Sequence, residues 1–271
     1  INQVQIKQQL QQQLPPNIII EAVTFNNKAT AGKIAAWWLP QPTTNRGVIL
    51  VHGHNDSKAD NRVVQAATLF SQLGLSVLMI DLQNHGKSTR LTNQTSLGSS
   101  EYTDVLAAQQ FMIKQGYDAT QLIYWGMSLG GSVCAVAAQH EPRIKTLIVD
   151  SSFADVDQII QYEFKRKGIP LFFYWGAKQV ATKWYKNPIG SKNPLNLDQT
   201  ALTNLLILHS EADQRVLVDH ALQFYAKTLQ HHIKSTLYLF KQSKHGQAII
   251  DQTETYRKVL IDFLKGSDSS T

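Results

Sequence analysis

The stretch Leu122-Ile123-Tyr124-Trp125-Gly126-Met127-Ser128-Leu129-Gly130-Gly131-Ser132-Val133-Cys134-Ala135 decides how this chain is read. Its first four residues are an apolar run of buried-strand length, and the small residues from Gly131 through Ala138 suit a tightly packed helix. A serine between two such elements lies on a strand-to-helix turn. The flanking Gly126 and Gly130 remove side chains that would clash there, so the chain can bend sharply and present the Ser128 oxygen above the sheet as a nucleophile. Three residues in this pattern arise by chance in about one chain in ten of this length, so the context has to carry the reading.

Outward from this turn, short apolar runs alternate with helical patterns. Upstream, Val48 to Val51 and Leu75 to Ile80 read as strands, separated by a helix from Asn61 to Leu73 and followed by one from about Glu101 to Gln115. Downstream, Ile144 to Val149, Leu205 to Leu208 and Thr236 to Phe240 read as strands, with helices from Asp219 to Leu229 and from Thr253 to Leu264. Before the alternation, Ile18 to Phe25 and Lys33 to Leu39 form a hairpin pattern around Asn26-Asn27 and Gly32. The expected fold is α/β: a mostly parallel central sheet of about eight strands flanked by helices, in one domain over 17–265.

Two segments stand outside the alternation. Residues 1–16 are rich in glutamine and amphipathic, with Val4, Ile6, Leu10 and Leu14 on one helical stripe ended by Pro15-Pro16. Residues 151–200 carry Phe153, Tyr162, Phe164, Phe172, Phe173, Tyr174, Trp175, Trp184 and Tyr185. A structureless loop of that length is improbable, so a small helical cap inserted into the domain is expected there. Its aromatic residues are expected to pack onto the core more than to line an apolar acyl or alcohol pocket. The small, polar tail 266–271 reads as disordered.

At 271 residues, 43% hydrophobic and 17% charged, the chain has the composition of a globular protein with a full core. No run of apolar residues is long enough to span a membrane. The net charge of +6 invites nucleic acid or an anionic surface as partner, but the basic residues read as scattered, and Lys165-Arg166-Lys167 as a solvated helix face. The expected partner is a small molecule. The single cysteine, Cys134, excludes an internal disulfide and a cysteine metal cluster, and no cofactor is expected. The chain opens on Ile1, which leads to the expectation of an export signal or anchor removed upstream, with a cytoplasmic protein as the alternative.

A serine hydroxyl needs a base, and the base an orienting carboxylate. In parallel sheets the reacting groups collect beyond the carboxyl ends of the strands. Of the nine histidines, His245 fits best, a few residues past the last strand. His209 ends a strand and reads as support for the next loop, while His140, His220, His231 and His232 read as surface residues. Asp213, past the strand ending near His209, is the preferred acid. Asp150 competes and reads equally as a polar anchor for Ser151-Ser152-Phe153; Glu211 is a third choice. The order Ser128, Asp213, His245 matches that described for strand-turn-helix serine nucleophiles. Backbone N–H groups must also receive the oxyanion: that of Leu129, and that of His54 in the loop after Val51, with Asn55 as the alternative.

Over 18–264 the chain resembles an α/β-hydrolase of the serine esterase and lipase superfamily, and most of all the Bem46-like capped hydrolases. The resemblance rests on His52-Gly53, Asp81-Leu82-Gln83-Asn84-His85-Gly86-Lys87-Ser88, the Ser128 motif, Asp150-Ser151-Ser152-Phe153, Asp213 with Val216, and His245-Gly246. It implies ester hydrolysis through an acyl-enzyme, with peptidase, thioesterase or acyltransferase chemistry as alternatives on the same residues. It also implies that Asp81 and His85 belong to a structural loop. The family usually has Arg at the position of Gln83 and Gly at that of Ser210. Two rival classes compete with this reading. His52, His54 and Asp56 match the start of a zinc motif of the metallo-β-lactamase type, although Ser57 replaces its last histidine. A non-catalytic binding module on the same frame is the other.

Overall fold

Val48 to Val51 and Leu205 to Leu208 are apolar at every position, and strands of that kind are stable only where helices cover both faces. The computed structural model describes residues 2–41, 44–183 and 188–268, and its sheet meets this requirement. The strands are β1 (Glu21–Asn27), β2 (Gly32–Leu39), β3 (Gly47–Val51), β4 (Ser76–Ile80), β5 (Leu122–Met127), β6 (Thr146–Asp150), β7 (Asn204–Ser210) and β8 (Lys234–Phe240). They lie in the order β1-β2-β4-β3-β5-β6-β7-β8. The pairings β1–β2 and β2–β4 are antiparallel, and all the others are parallel.

The helices are α1 (Gln3–Gln13), α2 (Asn61–Gln72), α3 (Tyr102–Lys114), α4 (Leu129–His140), α5 (Val156–Arg166), α6 (Phe172–Lys183), α7 (Asp219–Gln230), α8 (Ala248–Asp251) and α9 (Thr253–Asp268). Successive residues of β3 feed opposite cores, as a period of two requires. Ile49 and Val51 join Val105 of α3, Val133 of α4 and Phe224 of α7; Val48 and Leu50 join Phe70 of α2 and Tyr256 and Leu260 of α9.

Helix α1 packs beside α2. Leu10 and Leu14 are buried with Ile6 partly so, a spacing of four that leaves Val4 off the stripe and 67% exposed, contrary to the expected register. The Gln11 side chain clamps the next turn of chain, donating to Ile18 O at 2.7 Å and accepting from Ile20 N at 2.9 Å. At the other end α9 continues to Asp268, past Gly266 where the sequence reading begins a disordered tail; 269–271 and Ile1 lie outside the described residues.

The Ser128 turn is built by close approach. A Cβ on Gly130 would stand 2.2 Å from Val51 O and 2.7 Å from His52 O, so the first turn of α4 rests directly on the end of β3. Backbone cannot yield as a flexible side chain can. Gly130→Ala is therefore expected to lower unfolding free energy by about 3 kcal/mol or more, read as a shifted urea midpoint at unchanged m-value.

Between β6 and β7 the chain leaves the sheet to form α5 and α6. The aromatic residues there divide in a way the sequence reading does not anticipate. Phe153 and Tyr174 are buried and Tyr162 and Phe164 half-buried, but Phe172, Phe173 and Trp175 are 68%, 54% and 60% exposed. Trp184 and Tyr185 lie outside the described residues.

Candidate active site

Strands β3, β5, β6, β7 and β8 run parallel, so the loops after them meet at one edge of the sheet. Ser128 stands in the β5–α4 turn with φ 53° and ψ −119°, a backbone conformation that costs a non-glycine residue about 1–3 kcal/mol. The turn is held by the Ser128 N–H, which donates to Asp150 O at 2.8 Å. The β3 loop lies against it: a Cβ on Gly53 would be 3.5 Å from Ser128 Cβ.

The β7 and β8 loops bring Asp213 and His245 together. His245 Nδ1–H donates to Asp213 Oδ2 at 2.7 Å, while Oδ1 of the same carboxylate accepts from the N–H groups of Arg215 (2.8 Å) and Val216 (3.0 Å). Burial pushes the Asp213 carboxyl up, but the His245 hydrogen bond and these two amides outweigh it and hold the group below the usual carboxylate range. An ionised Asp213 keeps the His245 proton on Nδ1 and leaves Nε2 able to accept one. Among the described residues Ser128 Oγ makes no hydrogen bond to His245. The residues next to them are in contact, since a Cβ on Gly246 would be 2.8 Å from the Met127 side-chain sulfur. Such contacts are commonly looser before substrate binds.

Asp150 does not meet His245. Its Oδ1 accepts from Ser151 Oγ (2.9 Å) and its Oδ2 from Tyr256 Oη (2.7 Å), which in turn accepts from Trp125 Nε1 (2.9 Å). Ser151 Oγ also accepts from Gly246 N at 3.1 Å, so this buried chain of bonds ties α9 and β5 to the His245 loop. Burial pushes the Asp150 carboxyl up despite those donors. Sequence reasoning misses Tyr256 and Trp125 as members; the available signal is a tyrosine four residues before Leu260 on the apolar stripe of α9. Tyr256→Phe leaves Trp125 Nε1 and one Asp150 oxygen without a partner. It is expected to cost about 2 kcal/mol in chemical denaturation.

The other sequence candidates separate clearly. His209 Nε2–H donates to Val216 O at 2.8 Å, bracing the loop that carries Asp213, and stands 3.6 Å from Asp213 Oδ2. Glu211 is exposed. His140, His231 and His232 are exposed, but His220 is buried at 5% exposure and its Nδ1 accepts from Ala154 N. The sequence reading fails there because His220, Ala221, Phe224 and Thr228 share the inward face of α7.

In the β3 loop, His52 uses both ring nitrogens on backbone: Nδ1–H donates to Gly53 O (2.7 Å) and Nε2 accepts from Leu82 N (3.1 Å). Burial lowers its pKa to about 4. Asp56 is paired with Arg62 at 3.0 Å. The zinc reading of His52, His54 and Asp56 is thereby corrected, and among the described residues no group of His, Cys, Asp and Glu side chains is arranged to hold a metal ion. Asp81 receives the N–H groups of Lys58 (2.7 Å) and Lys87 (2.8 Å) and pairs with the buried Lys58 ammonium, which stitches its loop together. His54 lies half-buried with its pKa lowered by burial and by His85 and Arg215, and its Nδ1 has no partner among the described residues. It lines a cavity of 410 Å³ with Asn55, Asn84, His85, Ala181 and Ile189. The backbone N–H groups of His54 and Leu129 donate to no carbonyl among the described residues.

Residues 61–267 match the prolyl oligopeptidase family. Protein bem46 of Schizosaccharomyces pombe is 23% identical over 232 residues, covering 84% of this chain and 70% of the relative. The solved esterase Pf2001 of Pyrococcus furiosus superposes with a TM-score of 0.73 at 20% identity over 92% of both chains. The Pyrococcus horikoshii acylaminoacyl peptidase does so with a TM-score of 0.67 at 17% identity, over 92% of this chain and 41% of its own. With a family match over most of its length and the same sheet as these neighbours, the chain has the α/β-hydrolase fold and belongs to the prolyl oligopeptidase family.

Proposed function

We propose that the protein is a serine hydrolase that cleaves carboxylic esters through an acyl-enzyme on Ser128. The observation that supports this most is the 2.7 Å bond from His245 Nδ1 to the buried Asp213, in the loops beside the strained Ser128 turn. In this reading His245 Nε2 takes the Ser128 proton as the hydroxyl attacks the carbonyl. The N–H groups of Leu129 and His54 stabilise the oxyanion. His245 then protonates the departing alcohol, and water activated by the same nitrogen releases the acid. The α5–α6 insertion acts as a cap, a reading supported by Ala181 and Ile189 lining the same cavity as His54.

Covalent labelling tests the nucleophile. A fluorophosphonate probe is expected to form one adduct, on Ser128, in folded protein; the absence of an adduct there would favour the non-catalytic module. Membership of the prolyl oligopeptidase family supports a second reading, cleavage of peptide bonds by the same residues. Chromogenic esters of graded acyl length, run against aminoacyl amides, separate the two by kcat/KM. The ester reading expects a preference of at least about a hundredfold for esters.

A further inference from the structure

Between Glu163 and Asp198 the chain contains no acidic residue and seven basic ones: Lys165, Arg166, Lys167, Lys178, Lys183, Lys186 and Lys192. The rest of the chain carries 19 basic and 20 acidic residues; over the whole insertion, 151–200, Asp155, Asp157, Glu163 and Asp198 reduce the excess to +3 of the chain's +6.

The same insertion carries the exposed aromatic residues. Helix α6 turns Tyr174 and Lys178 inward, where both bind the Asp157 carboxylate of α5. That pins one side and leaves Phe172, Phe173, Trp175 and Val180 outside, with Val180 46% exposed. Ile169 and Leu171, on the turn that precedes the helix, extend the patch and are 37% and 46% exposed. Lys165, Arg166 and Lys167 at the end of α5 are exposed and precede it in the chain, with Arg166 paired to Glu163 at 2.8 Å.

We infer that this face docks onto an anionic lipid surface. Aromatic and aliphatic side chains with basic ones nearby in the chain are suited to the boundary between headgroups and acyl chains. Each basic side chain near such a surface strengthens binding about fivefold. A second copy of the chain is a poor occupant, since it would oppose the same positive charge. Nucleic acid would accept the charge but offers Ile169, Leu171 and Val180 no apolar depth. The docking does not depend on the catalytic reading.

The test is co-sedimentation of the full chain with phosphatidylcholine vesicles, with and without about 30 mol% phosphatidylserine. Partitioning is expected to be at least about tenfold stronger with the anionic lipid and to weaken as salt rises from about 0.1 to 0.5 M. Replacing Phe172, Phe173 and Trp175 together by serine should reduce it at least about tenfold with an unchanged thermal melt. Lys165→Glu with Lys167→Glu should abolish the preference for phosphatidylserine. No binding to the anionic vesicles overturns the inference. So does binding that survives the triple serine replacement, or retention on duplex DNA that exceeds retention on vesicles.

Discussion

Ser128→Ala is expected to lower kcat by about four to six orders of magnitude while the protein stays folded. The loss is large because no other group replaces the attacking oxygen. What remains is binding and oxyanion stabilisation, which depend on backbone N–H groups that the substitution does not touch. Stability should move by no more than about 0.5 kcal/mol. The turn is held by the Ser128 N–H on Asp150 O at 2.8 Å and by the approach of Gly130 to Val51 O, and both survive. Single-turnover kinetics on an activated ester, with a urea unfolding curve for each protein, make the comparison. Turnover like that of the wild type would sink the mechanism.

Asp213→Asn is expected to cost about four orders of magnitude in kcat. The replacement keeps an oxygen for the Arg215 and Val216 amides, so the loop retains its shape. Its amide, however, donates to His245 Nδ1, which moves the imidazole proton to Nε2 and removes the base. Because His245 and the two amides hold the Asp213 carboxyl below the usual range, mildly acid pH leaves it ionised. Asp150→Asn is the matched control. Asp150 bonds to Ser151 and Tyr256 and not to His245, so its replacement should keep activity within about tenfold and lower stability by about 2 kcal/mol. A collapse of activity with Asp150→Asn, together with an active Asp213→Asn, would reassign the acid.

Most of the fold was legible because its signals are local. The apolar runs at β3, β5 and β7 needed helices on both faces, and each is found between such layers. The hairpin before them is antiparallel as its Asn and Gly signals imply. Errors fell where a pattern had two outcomes. Polar residues on α7 read as exposed, yet His220 shares a face with Phe224. Aromatic residues in the insertion read as core or pocket, yet Phe172 and Trp175 face water. The run of 164–197 without an acid was in the sequence; that it lies with exposed aromatic residues is visible only in the fold.

By itself the sequence determined the class of sheet, the turn under Ser128 and the short group of acids and bases able to serve it. Those follow from periodicity and from what glycine permits, which act over a few residues. Only the tertiary structure decided which carboxylate faces His245. Asp150 and Asp213 both sit at or just beyond the end of a parallel strand, and the sequence prefers Asp213 without placing either against His245. The difference is made by contacts more than thirty residues apart in the chain: His245 to Asp213, 2.7 Å, and Tyr256 to Asp150, 2.7 Å. Strand order and register place those partners, and they are set by the packing of two whole cores.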